Sequence, residues 1–195
     1  EMITGVDLVQ KQLEIASGMT LGISQDSVGI NGHSIEARIY AEDAKRGFLP
    51  SIGTLGVWIP PSGPGIRLDS GVRQGDLVTV DFDPMLAKLI VHAPDRKSAI
   101  RRMDNALSSF VALGVTTNIG FLRNALLHPS FTSGSITTDF LDSTPINEFD
   151  PNYTDPKIIV SIAASAKRLG LDKLANTLSS SDMDDHSGHS GDPFR

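Results

Sequence analysis

Glu36 and Arg38 are the first residues in the chain whose types and spacing could do chemistry. Two positions apart, they fall on one face of a strand. A guanidinium offers a planar fork of N–H donors suited to an oxyanion, and a neighbouring carboxylate could orient it. A solvated surface pair satisfies the same spacing. Lys88 shares a strand face with Leu86 and Ile90, as either a snorkelling surface lysine or a functional cation. Asp83 stands before Pro84, a standard turn-forming position that also leaves a carboxylate available. His33 and His92 sit in strand patterns with no Ser or Asp at recognisable nucleophile spacing, and read as core-edge residues with satisfied hydrogen bonds. Asp184, Asp185, His186 and His189 cluster in a Gly/Ser setting, which reads as solvated linker; no metal site is assigned.

The elements that must position these groups follow from periodicity. In His33 to Tyr40, Ile35, Ala37 and Ile39 alternate with Glu36, Arg38 and Tyr40, so one strand face is core and the other charged. A packing helix is expected over residues 6 to 17, with Val6, Val9, Leu13 and Ala16 as its stripe and Gly18 as its stop. Gly47 and Pro50 mark a turn-rich passage after the strand. Further strands are expected at Thr54 to Ile59, Ile66 to Asp69 and Leu77 to Phe82, the last forming a hairpin-like pair with Leu86 to Ala93. Asp95 caps a helix from Arg96 to Leu113, stopped by Gly114. Asn118 caps another through Leu127, ended by His128-Pro129, and Thr137 to Leu141 is a short helical piece. The expected fold is α+β, an antiparallel sheet flanked by the helices at 6 to 17 and 96 to 113. A composition shift near residue 143 ends the domain. Residues 144 to 155 read as linker, 157 to 169 and 171 to 178 as short helices, and 179 to 195 as a disordered polar tail.

Composition narrows the function classes. The net charge of −6, with no long basic run, argues against a general nucleic-acid binder and points to a protein or small-molecule partner. The 195 residues include no cysteine, which removes thiolate chemistry, disulfides and Cys-based zinc sites. No apolar stretch approaches the roughly 18 residues of a membrane span.

Four segments, in order, carry a family resemblance: Glu1-Met2-Ile3-Thr4-Gly5-Val6-Asp7-Leu8; Gly32 to Ile39 with Ala41-Glu42-Asp43 and Phe48-Leu49-Pro50-Ser51; Asp83-Pro84-Met85-Leu86-Ala87-Lys88-Leu89-Ile90; and Gly114-Val115-Thr116-Thr117-Asn118. Together they resemble the C-terminal domain of biotin carboxylase over residues 1 to 143, with 144 to 195 as the start of a connecting region toward a biotin carrier part. The sequence opens inside one of these motifs and reads as a fragment. The resemblance implies a ligase component that carboxylates the ureido nitrogen of biotin with ATP and bicarbonate. Arg38 is the one catalytic residue that carries over, as the contact to the biotin ureido oxygen; Glu36 could orient it. Biotin would ride on a carrier domain outside this chain, and ATP and Mg2+ would be held by an ATP-grasp domain that this sequence lacks. The implied host is an acyl-CoA carboxylase alpha subunit of the acetyl-, propionyl- or 3-methylcrotonyl-CoA type, with urea and pyruvate carboxylases less favoured. Further implied partners are the biotin carrier domain, a carboxyltransferase subunit and further copies in an oligomer. The implied setting is the cytoplasm, or the mitochondrial matrix in a eukaryote. The alternative reading is a non-catalytic assembly module of such an enzyme.

Overall fold

A computed structural model describes residues 1–144. The helices expected at 157 to 169 and 171 to 178, the polar tail and the Asp184 to His189 cluster lie outside the described residues. The fold is α+β, and every strand pairing among the described residues is antiparallel. At its centre stands a three-stranded sheet in the order β1, β8, β6, where β1 is His33–Tyr40, β6 Ile66–Ser70 and β8 Met85–Ala93. The strand alternation holds: Ile35, Ala37 and Ile39 are buried while Glu36 and Arg38 are exposed. Ala87, Leu89, Val91 and Ala93 of β8 extend this inner face. Helix α2, Arg96–Ser109, covers it with Ala99, Ile100, Met103, Ala106 and Leu107. Asp95 caps α2 as expected, accepting the Ser98 N–H at 2.8 Å.

Three short ladders surround the sheet. They pair β2 (Glu42–Asp43) with β3 (Leu49–Pro50), β4 (Gly53–Thr54) with β7 (Leu77–Val78), and β5 (Val57–Ile59) with β9 (Val111–Leu113). The strand expected over Thr54 to Ile59 is therefore split between two partners. Gly114 permits this crossing: at φ 106°, any Cβ it carried would run into the Thr54 carbonyl oxygen. The long helix expected to Leu113 stops at Ser109, because Phe110 turns extended at ψ 121° and the chain enters β9. The hairpin expected between Leu77 to Phe82 and β8 does not form. Leu77–Val78 pairs with β4, and Val80 and Phe82 stand exposed in the loop beyond it.

Helix α1, Leu8–Ala16, forms behind its Asp7 cap, yet buries no residue. Val9 and Leu13, expected to pack, are 61% and 68% exposed, so among the described residues the sheet's helical cover is α2 with α3, Ile119–Leu127. Arg123 on α3 ties the two together by a 2.8 Å ion pair to Asp104. Pro129, expected only to end a helix, instead opens a short one, α4, Pro129–Ser133, where its fixed φ and missing N–H suit a first turn. The helical piece near the end is α5, Phe140–Ser143.

Candidate functional site

β1 is an edge strand, so half of its backbone groups face away from β8. Asn118, only 6% exposed, meets that edge. Its Nδ2 donates to the Arg38 carbonyl at 3.1 Å, and its Oδ1 accepts the Tyr40 N–H at 2.9 Å. Its own N–H donates to the Tyr40 carbonyl at 3.2 Å. The backbone under Arg38 is thus held on one side by pairing with β8 and on the other by one buried amide.

The Arg38 side chain is far less constrained. Its Nε lies 3.5 Å from Glu36 Oε1, a long contact between side chains 60% and 43% exposed, which contributes little stability. Neither Nη atom has a hydrogen-bond partner among the described residues. The site therefore offers a bidentate donor fork on a fixed backbone, with Glu36 beside it as a weak guide. Glu36, Arg38, Tyr40 and Glu42 line a cleft of about 960 Å3 whose apolar wall includes Phe121 and Phe140.

Register places Lys88 directly opposite Arg38, and Asp69 directly opposite Lys88. The Asp69 carboxylate goes to Arg67 Nε at 2.9 Å, and Lys88 has no salt bridge among the described residues. Two cations therefore face each other across β1 and β8, an arrangement that costs stability while raising the local positive potential. Asp83 lies apart from this row. Its Oδ1 accepts the Met85 N–H at 2.8 Å, the turn-forming role. Partial burial raises the Glu42 pKa above the usual carboxylate value, and the charge of Asp83 adds to the rise.

The two strand histidines are satisfied as expected: His92 Nε2 pairs with the Asn31 carbonyl at 2.8 Å and His33 Nε2 with Arg96 Nη1 at 3.1 Å. Among the described residues no three His, Cys, Asp or Glu side chains gather to hold a metal ion. No helix among them is long and apolar enough to cross a membrane.

Asn118 is the residue that sequence reasoning misplaced. A polar residue ahead of an apolar helix reads as its cap, but the Asn118 side chain makes no cap hydrogen bond and reaches β1 instead. Its place in the Gly114 to Asn118 segment was the available signal; a partner 78 positions away leaves no trace in local spacing.

Comparison with known proteins agrees with this fold. The family model described as "Biotin carboxylase C-terminal domain" matches residues 36–143. The chain is 46% identical over 143 residues to the mitochondrial methylcrotonoyl-CoA carboxylase subunit alpha of Oryza sativa subsp. japonica, covering 73% of this chain and 19% of that protein. It is 40% identical over 177 residues to the mitochondrial propionyl-CoA carboxylase alpha chain of Caenorhabditis elegans, covering 90% and 24%. Among solved structures, the biotin carboxylase domain of Hydrogenobacter thermophilus 2-oxoglutarate carboxylase, a dimer in complex with MgADP, ADP and bicarbonate, superposes with a TM-score of 0.72 at 44% identity, covering 80% of this chain and 34% of that one. Multifunctional pyruvate carboxylase from Rhizobium etli gives 0.70 at 38%, covering 76% and 15%. The chain thus spans about a fifth to a quarter of the curated relatives it matches. With its antiparallel sheet, edge-clamped Arg38 and matching segments, this chain belongs to the biotin carboxylase C-terminal domain family.

Proposed function

We propose that this chain supplies Arg38 to a biotin carboxylase active site completed by sequence outside it, within an acyl-CoA carboxylase. The observation that carries this reading is an exposed guanidinium with free Nη donors on a backbone fixed by β8 and Asn118. Biotin, when bound, supplies the ureido nitrogen that accepts the carboxyl group. Loss of the ureido proton builds negative charge on the ureido oxygen, and a planar guanidinium fork on a fixed backbone is a donor set that fits it. It stabilises that charge more as it develops than before. Glu36 holds the fork only loosely, leaving it able to turn toward an incoming oxygen. The unpaired Lys88 opposite would strengthen the field at the same oxygen.

In this reading ATP and Mg2+ are held by an ATP-grasp domain outside the chain. Residues 1 to 143 are the carboxylase C-terminal domain, and 144 to 195 begin a connecting region toward a biotin carrier. The partners are those two domains, a carboxyltransferase subunit and further copies in an oligomer. The acyl-CoA host rests on the methylcrotonoyl- and propionyl-CoA carboxylase relatives; pyruvate and 2-oxoglutarate carboxylases stand as alternative hosts on the structural side. The setting is the cytoplasm, or the mitochondrial matrix in a eukaryote; the names of those relatives print "mitochondrial" for them. Calorimetry on the isolated chain tests the division of labour: no saturable micromolar ATP binding is expected, and its appearance would put the nucleotide site on this chain.

A second reading, a non-catalytic assembly module, draws on α1, where Leu8, Val9 and Leu13 are each more than half exposed. The two separate on Arg38→Lys in the longer protein. A flexible point charge rescues an oxyanion contact poorly, whereas an assembly module would tolerate it fully.

A further inference from the structure

A second cavity, of about 330 Å3, lies between the Pro60 to Gly65 loop and the side of α2, and shares no lining residue with the Arg38 cleft. Its volume is at the lower bound for ligand pockets, which suits a small ion with its water. Two adjacent arginines of α2, Arg101 and Arg102, converge on it with Asn105, Ser98 and, from the loop, Ser62. In a chain of net charge −6, neither arginine belongs to any salt bridge among the described residues.

The loop is shaped around one of them. Arg102 Nη1 donates to the His92 carbonyl, which anchors the half-buried guanidinium beneath Gly65. Gly65 has φ 71°, and a Cβ there would fall 2.6 Å from the His92 carbonyl oxygen and against the guanidinium itself. Glycine at this position lets the guanidinium lie under the loop, and one anchoring bond leaves most of its five N–H donors uncommitted. The nearby carboxylate is Asp95. Its oxygens already accept the Ser98 N–H at 2.8 Å and the Ser98 hydroxyl at 2.9 Å. These bonds hold it at the helix cap and, with a smaller contribution from Arg101, keep its pKa below the usual value. The side chains of Arg101, Asn105 and Ser62 make no hydrogen bond among the described residues, so their donors are open to a ligand.

We propose that this cavity binds a phosphate-class oxyanion, with Arg101 and Arg102 supplying charge and Asn105 and Ser62 neutral donors. Two guanidiniums fit a tetrahedral oxyanion bidentately, and the neutral donors fix its orientation. The ion could be free phosphate or the terminal phosphate of a larger molecule, and the experiment separates the two.

The test is a titration of the full 195-residue chain with inorganic phosphate at constant ionic strength, followed by amide NMR. Saturable shifts are expected around Ser62 to Gly65 and Ser98 to Asn105, with a dissociation constant on the order of a millimolar, typical of a small ion held by a few contacts. Arg101→Gln and, separately, Asn105→Asp should each weaken binding about tenfold, one charge-assisted contact's worth. Both residues are exposed, so an unchanged melting temperature is the accompanying control. A phosphate monoester such as ribose 5-phosphate is then titrated in the same way. Equal or tighter binding at the same amides identifies a terminal-phosphate site, and binding of inorganic phosphate alone identifies a free-ion site. Shifts that stay linear with concentration, or that Arg101→Gln leaves unchanged, would overturn the proposal.

Discussion

The two faces of β1 differ in what they do for the molecule. On the inner face Ile35, Ala37 and Ile39 are 9%, 7% and 0% exposed and pack against α2. On the outer face Arg38 and Glu36 are 60% and 43% exposed, joined only by a 3.5 Å contact, with a second cation, Lys88, across the ladder from Arg38. The inner face stabilises the sheet through apolar burial. The outer face contributes little or nothing to stability, and the cross-strand cation pair opposes it. A single eight-residue strand thus separates a packed apolar face from an exposed charged one by the two-residue period alone.

That separation can be broken or sharpened one substitution at a time. The largest effect on folding belongs to the inner face: Leu89→Ala, at a fully buried position of β8, should lower stability by about 2–5 kcal/mol in chemical denaturation. A loss under about 1 kcal/mol would mean that the core can collapse around the gap. Next comes the clamp between the faces. Asn118→Ala leaves the Tyr40 N–H and Arg38 carbonyl without their amide partner, for a loss of about 1–3 kcal/mol. Substitution on the outer face should do the reverse. Lys88→Gln removes the like charge opposite Arg38 and should raise stability by about 0.2–1 kcal/mol, an increment that shrinks with added salt.

The smallest effect is at Glu42. Partial burial, then the charge of Asp83, raises its pKa in the folded state. The folded state thus favours the protonated carboxyl, a preference fully present below the ordinary value of 4.5 and lost as pH rises through the raised one. Glu42→Gln should therefore slightly raise the melting temperature at pH 7 relative to the parent. The gain should fade as the pH drops below about 4.5. A gain that grows on acidification would have the wrong sign for this origin.

Much of this arrangement was legible in the sequence, because β1 and α2 carry their periodicity in contiguous residues and Asp95 announces its helix. The role proposed for Arg38 rests on its segment's resemblance, since spacing alone also fits a solvated pair. Other features depend on partners distant in sequence. Val9 and Leu13 form a helical stripe, but periodicity does not say what covers it. Leu77 to Phe82 alternates like a long strand, yet only two of its residues find a partner. Asn118 reads as a cap until a strand edge is brought beside it, and the cavity at Arg101 exists only where a Pro/Gly loop folds over α2.

The most direct test of the central claim is Arg38→Ala in the longer protein, with biotin carboxylation and biotin-independent, bicarbonate-dependent ATP cleavage measured on the same sample. The substitution removes the cation proposed to meet the developing oxyanion and leaves the inner face of β1 intact. Carboxylation should fall by on the order of 100-fold or more, the usual scale for one oxyanion donor, while ATP cleavage changes far less. Equal losses in both rates from a folded protein would assign Arg38 a structural role, and no loss in either would leave it an ordinary surface arginine.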